Sequence, residues 1–201
     1  ITVSRGAGEI GLDPGLCPRA TVVIMAKPLH PSPPVLSRDG VSLTVANTRR
    51  NLPEALSPQI KSTNFLNNIL AKRESIAAGT FDSLFLNWKD ELTECTVSNL
   101  FFISGKTLHT PALDCGILDG ITRTIVMTLA QEEGVPVREG HYHLADLQRA
   151  EECFLTNTSM EIIPVNRVDS FAIGDGRPGS LTRRLQTRFA DSRTRFLEPT
   201  S

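Results

Sequence analysis

The chain has 201 residues, of which 40% are apolar and 21% charged, and its net charge is −1. This is enough apolar chain for one folding unit with a buried core and no covalent staples. Lys and Arg are interspersed with acids, which excludes the basic stripe of a nucleic-acid surface, and no apolar run approaches the length of a bilayer crossing.

Cys17, Cys95, Cys115 and Cys153 are widely separated. No pair has the short spacing of a zinc or redox motif, so no metal ligand is assigned and a reducing cytoplasm is the expected compartment. Ile1 to Arg5 lack the charged lead and long apolar run of a secretory signal.

In chain order, β-rich runs at Ile1–Ser4, Thr21–Met25 and Val41–Val45 predict strands, punctuated by Asp13-Pro14-Gly15 and Pro31-Ser32-Pro33-Pro34. Phe65, Leu66, Ile69, Leu70, Ile76 and Ala77 recur with helical spacing over Ser62–Ala78, and Gly79 stands where a C-terminal cap belongs. Phe81–Trp88, Asn99–Ile103 and Thr107–His109 read as strands, with Gly105-Lys106 as a hairpin turn. A second helix follows Gly120 and ends near Gly134, before a strand-like Val135-Pro136-Val137. A short helix over Leu144–Ala150 leads to Cys153-Phe154-Leu155, then come a strand at Ile162–Val168, a turn at Gly174-Asp175-Gly176, and a terminal helix over Pro178–Phe196. The basic run Arg183–Arg195 is expected to be a solvated face of that helix. Hairpins interrupt the alternation of strands and helices, so the fold class is α/β with a mixed sheet.

Lys61 stands at the head of the first long helix, in Ile60-Lys61-Ser62-Thr63-Asn64-Phe65-Leu66. A lysine there is ordinarily solvated. A buried amine at the same place would have a lowered pKa and could form a Schiff base with an electrophilic carbonyl.

Five segments in order carry a resemblance: Ile60–Leu70; Leu92-Thr93-Glu94-Cys95-Thr96-Val97-Ser98-Asn99-Leu100-Phe101; Ile117-Leu118-Asp119-Gly120-Ile121-Thr122-Arg123; Phe154–Val165 with its Thr156-Asn157-Thr158-Ser159-Met160; and an opening Ser4-Arg5-Gly6 followed by Gly11-Leu12-Asp13-Pro14 and Cys17-Pro18. Together they resemble the large domain of the fold-type IV pyridoxal-phosphate enzymes, the class IV aminotransferases and aminodeoxychorismate lyases, over roughly Ile1 to Phe196. The resemblance implies a mixed sheet or pseudo-barrel with flanking helices, and pyridoxal 5′-phosphate as cofactor. It makes Lys61 the catalytic, cofactor-bearing lysine and Glu94 the partner of the pyridine nitrogen. Leu118 would pack on a face of the ring, Gly120, Ile121 and Thr122 would form the phosphate cup at a helix N-terminus, and Thr158 would close the phosphate from the other side. Ser159 and Met160 match positions lining the substrate pocket, and Arg5 matches an arginine that grips a substrate carboxylate. Asp119 fits beside a phosphate only if its side chain caps the helix and faces away.

The implied reaction is transfer of an amino group between an amino acid, branched-chain first, and 2-oxoglutarate or another 2-oxo acid. Aminodeoxychorismate lyase is the alternative, to which Thr93-Glu94-Cys95 and Asn157 lean, with D-amino-acid transamination third. A non-catalytic large-domain fragment or binding module is the reading from another class. Residues 1–201 are expected to form the large domain alone, without the family's small N-terminal domain, and relatives imply a homodimer or higher homo-oligomer.

Overall fold

The computed structural model describes residues 1–195. They fall into two units, Ile1–Pro31 and the chain from Ser32 onward. The boundary lies in the Pro31-Ser32-Pro33-Pro34 run, where three prolines deprive the backbone of donors. The first unit is a hairpin of β1 (Thr2–Ser4) and β2 (Thr21–Val23), antiparallel with Thr2 opposite Val23.

In the second unit α1 (Pro34–Asp39) precedes β3 (Val41–Val45), and α2 (Leu66–Ala78) leads to β4 (Asp82–Leu86), β5 (Leu92–Cys95), β6 (Asn99–Ser104) and β7 (Thr107–Pro111). Then follow α3 (Ile121–Glu132), β8 (Val137–Gly140), α4 (Leu144–Gln148), β9 (Glu152–Asn157), β10 (Glu161–Val168), β11 (Phe171–Ala172) and α5 (Ser180–Asp191). Phe196, the expected end of the last helix, lies outside the described residues.

Strands β3, β4, β5, β6, β9 and β10 close into a ring. Neighbours β10–β3 and β3–β4 are parallel; β4–β5, β5–β6, β6–β9 and β9–β10 are antiparallel. Strands β7 and β8 extend the sheet beyond β6, and β11 extends it beyond β10. This is the mixed sheet that the hairpins predicted and the barrel that the resemblance implied.

Period-two alternation sorts the side chains. Leu100 and Phe102 of β6, Leu84 of β4, Leu155 of β9, Leu43 of β3 and Val165 of β10 meet in one buried cluster to which every strand of the ring contributes. The intervening Phe101, Ile103 and Phe154 face the opposite way, onto Val126 and Leu129 of α3 and Leu181 and Leu185 of α5. Phe101 and Phe154 stack across β6–β9 with centroids 5.1 Å apart, worth about 1 kcal/mol beyond burial. At the β6–β7 hairpin Gly105 and Lys106 both have positive φ, 58° and 65°. Those are the signs a two-residue primed turn requires, as that dipeptide predicted.

Two expectations change. The helix after Lys61 begins at Leu66 rather than Ser62, so Lys61 stands in the preceding loop. Its apolar stripe also points outward: Leu66, Ile69 and Ile76 are exposed, and only Ala71 and Ser75 of α2 are buried. Small residues let the helix lie close to β4, where Ser83 Oγ donates to Ala71 O at 2.7 Å. The basic face of α5 is likewise not simply solvated, because Arg184 and Arg188 reach Glu133, the C-cap of α3, at 3.4 and 2.9 Å. All four cysteines are free, and among the described residues no helix is long and apolar enough to cross a membrane.

Candidate active site

Glu94 is the best-anchored group of the predicted set. It lies on β5 opposite Asn99 of β6, and its side chain is 7% exposed. Its Oε1 accepts from Arg50 Nη2 at 2.5 Å, while Oε2 accepts from Asn99 Nδ2 at 3.1 Å and from the Leu118 N–H at 3.0 Å. Burial pushes its pKa up to about 7, overcoming the opposite pull of Arg50, the Leu118 N–H and, more weakly, Lys61. Arg50 is itself buried, bonded to Gly116 O at 3.2 Å, with its guanidinium 5.3 Å from the centre of the Phe85 ring.

The connection between β7 and α3 supplies the next wall. Asn99 Nδ2 also donates to Leu118 O at 2.8 Å, so one amide ties that connection to the carboxylate. Gly120 is the N-cap of α3 and makes no side-chain cap bond, which leaves the first N–H groups of the helix free for an anion. A Cβ at Gly120 would stand 2.2 Å from Asn99 Oδ1, so the close approach requires glycine here. Thr122 is buried and Ile121 is exposed. Asp119 does not cap the helix; its carboxylate turns to Arg123 Nη1 at 3.5 Å, four residues on.

The turn between β9 and β10 is organised by Asn157, whose Oδ1 accepts from the N–H groups of Ser159 and Met160 at 3.1 and 2.7 Å. Its Nδ2 donates to Ser98 Oγ at 3.0 Å.

Lys61, Glu94, Leu118, Gly120, Ile121, Thr122 and Thr158 all line one cavity of about 440 Å³. Lys61 is exposed rather than buried. Ser159 and Met160 are not among the lining residues: the Ser159 hydroxyl turns to Asn157 Oδ1 at 3.4 Å, and Met160 packs against the barrel cluster. Arg5 belongs to the first unit, where its Nη1 donates to Gly11 O and Asp13 O at 3.0 and 3.2 Å.

Sequence reading missed Arg50, Asn99 and Thr156 as wall residues. Arg50 sits beside Arg49, which instead pairs with Asp90 at 2.6 Å, and nothing in an Arg-Arg pair tells which one turns inward. Thr156 Oγ1 is buried with no hydrogen-bond partner in the protein, although such groups are normally paired. This orphan hydroxyl, the uncapped N-terminus of α3 and the cradle at Gly120 fit a phosphate-bearing ligand.

A closed mixed barrel whose cavity joins an amine, a buried carboxylate and a bare helix N-terminus defines the class of this protein. The model of the family described as amino-transferase class IV matches residues 1–168, and the chain belongs to that family. It is 38% identical over 196 residues to a putative branched-chain-amino-acid aminotransferase of Methanocaldococcus jannaschii, covering 98% of this chain and 67% of that protein. It is 33% identical over 186 residues to the aminodeoxychorismate lyase of Bacillus subtilis, covering 92% and 62%. A crystal structure of a branched-chain aminotransferase from Thermoproteus uzoniensis with norvaline superposes with a TM-score of 0.77 at 29% identity, over 83% of this chain and 54% of that one. The chain thus spans between about half and two thirds of the length of these relatives.

Proposed function

We propose that the chain is the cofactor-bearing part of an aminotransferase that moves the amino group of an amino acid, branched-chain first, to 2-oxoglutarate or another 2-oxo acid. The observation that carries this reading is the shared cavity: Lys61, Glu94, the start of α3 and Thr158 all line it.

When bound, pyridoxal 5′-phosphate supplies an electrophilic carbonyl and an electron-accepting ring. Glu94 would hold positive charge at the ring nitrogen, and Arg50, Asn99 and the Leu118 N–H fix where its oxygens stand. The N–H groups at the start of α3, with the hydroxyls of Thr122, Thr156 and Thr158, would bind the phosphate. Lys61, after holding the cofactor covalently, would take the proton from the substrate α-carbon and return it elsewhere. Its exposure leaves the amine free to reach both partners. Arg5, Ser159 and Met160 belong to this reading as groups that select the substrate, and assembly as a homodimer belongs to it as well.

The lyase reading keeps two supports, Asn157 on the cavity wall and the 33% identity to the Bacillus subtilis enzyme. Thr93 does not add to it, since its hydroxyl is fully buried and bonded to Phe85 O at 3.0 Å.

The test is titration of the chain with pyridoxal phosphate, followed by visible absorbance, then a panel of amino-donor and oxo-acid pairs with aminodeoxychorismate included. Expected are a visible band that is lost in Lys61→Ala and double-displacement kinetics with a branched-chain donor. Release of pyruvate from aminodeoxychorismate alone would replace the aminotransferase with the lyase. No spectral change on adding cofactor would leave a binding module.

A further inference from the structure

Away from the cavity, Glu91, Cys115 and His141 come together from three connections: the turn entering β5, a single 3-10 turn at Leu113–Cys115, and the loop between β8 and α4. One ligand atom from each lies within 4.8 Å of the others. None of the three lines the cavity described above.

Two of the three spacings are close to those of ligands around one ion. Bonds of about 2.3 Å to sulfur and about 2.0–2.1 Å to nitrogen and oxygen put S···N near ~3.6 Å and N···O near ~3.3 Å around a tetrahedral centre. The observed distances are 3.5 Å from Cys115 Sγ to His141 Nδ1 and 3.1 Å from His141 Nδ1 to Glu91 Oε1.

The outer groups are also in place. His141 Nε2 lies 3.3 Å from Asp114 Oδ2; with the ring donating from Nε2, its Nδ1 lone pair would be turned toward sulfur and carboxylate. In that tautomer three electron-rich atoms face one another, and a cation between them satisfies all three. Asn87, fully buried, donates to Glu91 Oε2 at 2.7 Å and to Cys115 O at 3.2 Å, and thereby binds two of the three connections together. A backbone bridge between Glu91 and His143, with the Leu92 N–H on Tyr142 O at 2.6 Å, fixes the third. Cys115 is fully buried, while the His141 side chain is 44% exposed and leaves an approach from solvent.

We infer that Glu91, Cys115 and His141 bind one zinc-class divalent cation at this end of the barrel. Binding displaces the Cys115 thiol proton to solvent; sulfur, imidazole nitrogen and one carboxylate oxygen become ligands, and water takes the fourth position. No electron is transferred. Thiolate and carboxylate together neutralise the ion, and a borderline-soft metal suits this S/N/O set better than Mg²⁺ or Ca²⁺. The ion would cross-link three connections that sequence keeps far apart.

The test uses the whole chain, stripped with a chelator, dialysed and titrated with Co²⁺ alone. Expected are one equivalent bound, the visible spectrum of a tetrahedral thiolate site, and displacement by Zn²⁺. Cys115→Ser and His141→Gln each abolish the spectrum, Asp114→Asn weakens binding roughly 10- to 100-fold, and Cys17→Ser changes nothing. Circular dichroism establishes that each variant is folded; His141→Gln, at a partly exposed ring, decides the matter if Cys115→Ser does not fold. Absence of stoichiometric binding, or a cobalt spectrum that survives His141→Gln or vanishes in Cys17→Ser, would overturn the site. Because the readout needs neither cofactor nor amino-acid substrate, its failure and that of the aminotransferase reading are separate events.

Discussion

Arg50 and Glu94 form an ion pair of 2.5 Å between two side chains that are each only 7% exposed. Such a pair gains little over an apolar substitute, but removing one member leaves the other as an uncompensated buried charge, at about 3–5 kcal/mol. Glu94→Ala is expected to lower the unfolding free energy by about that amount in urea denaturation. Arg50→Ala should cost somewhat less, because Glu94 can then take up a proton.

The raised pKa of Glu94 gives a signed pH dependence. Between the usual carboxylate value of 4.5 and about 7, the folded chain keeps a proton that the unfolded chain has released. The Glu94 contribution therefore favours folding most at the acid end of this window and falls as pH rises, by at most about 3 kcal/mol. Urea midpoints of the cofactor-free protein should show that fall, and Glu94→Gln should flatten it. An unchanged slope in Glu94→Gln would place the titration elsewhere.

Thr156 Oγ1, buried and unpaired in the protein, costs about 1–3 kcal/mol as it stands. Thr156→Val removes the hydroxyl at constant shape. The cofactor-free protein should gain about 1 kcal/mol, while affinity for pyridoxal phosphate falls, as read by spectral titration. A variant that loses stability would show that the hydroxyl has an internal partner.

Gly120→Ala tests the cradle. Its new Cβ would fall 2.2 Å from Asn99 Oδ1 and force the amide off both Glu94 and Leu118. A cost of about 1–3 kcal/mol in thermal unfolding is expected, with cofactor affinity down at least about tenfold, the equivalent of ~1.4 kcal/mol. Gly79→Ala is a control of opposite kind: nothing stands within 4 Å of the added Cβ, and the strain of φ 67° alone is felt.

The outward apolar stripe of α2 tests assembly. Leu66, Ile69 and Ile76 are 62%, 55% and 69% exposed, and a row of this kind is a candidate for burial against another copy. Ile69→Asp should shift sedimentation toward the monomer while leaving helix content intact. An unaltered sedimentation coefficient would show that this face makes no contact between copies.

Much of this was legible beforehand because local chemistry and global fold agree. Gly79 adopts the left-handed cap at φ 67° that its place after an apolar-periodic run demands, and Gly105-Lys106 makes the expected turn. Val41–Val45 matches residue for residue. The Lys61, Glu94, Gly120 and Thr158 segments were found through their order along the chain, and they share a cavity. What escaped depends on long-range pairing. Periodicity places Leu66 and Ile69 on one face of α2 without saying which face meets the sheet, and Ala71 and Ser75 were the ones taken inside. The short strand β5 was hidden by its polar Thr93-Glu94, both buried. Glu91, Cys115 and His141 are too far apart in sequence for any spacing rule to join them.

The double pairing of β9, with β6 on one side and β10 on the other, bears on how the protein is made. Lys61, Glu94 and Gly120 leave the ribosome well before β9 and β10 and have no finished pocket to occupy. A nascent chain halted just after Thr158 carries every residue of the cavity wall, yet lacks the strand that completes the ring. Cofactor capture should therefore begin abruptly once β10 is clear of the ribosome, not rise gradually with chain length.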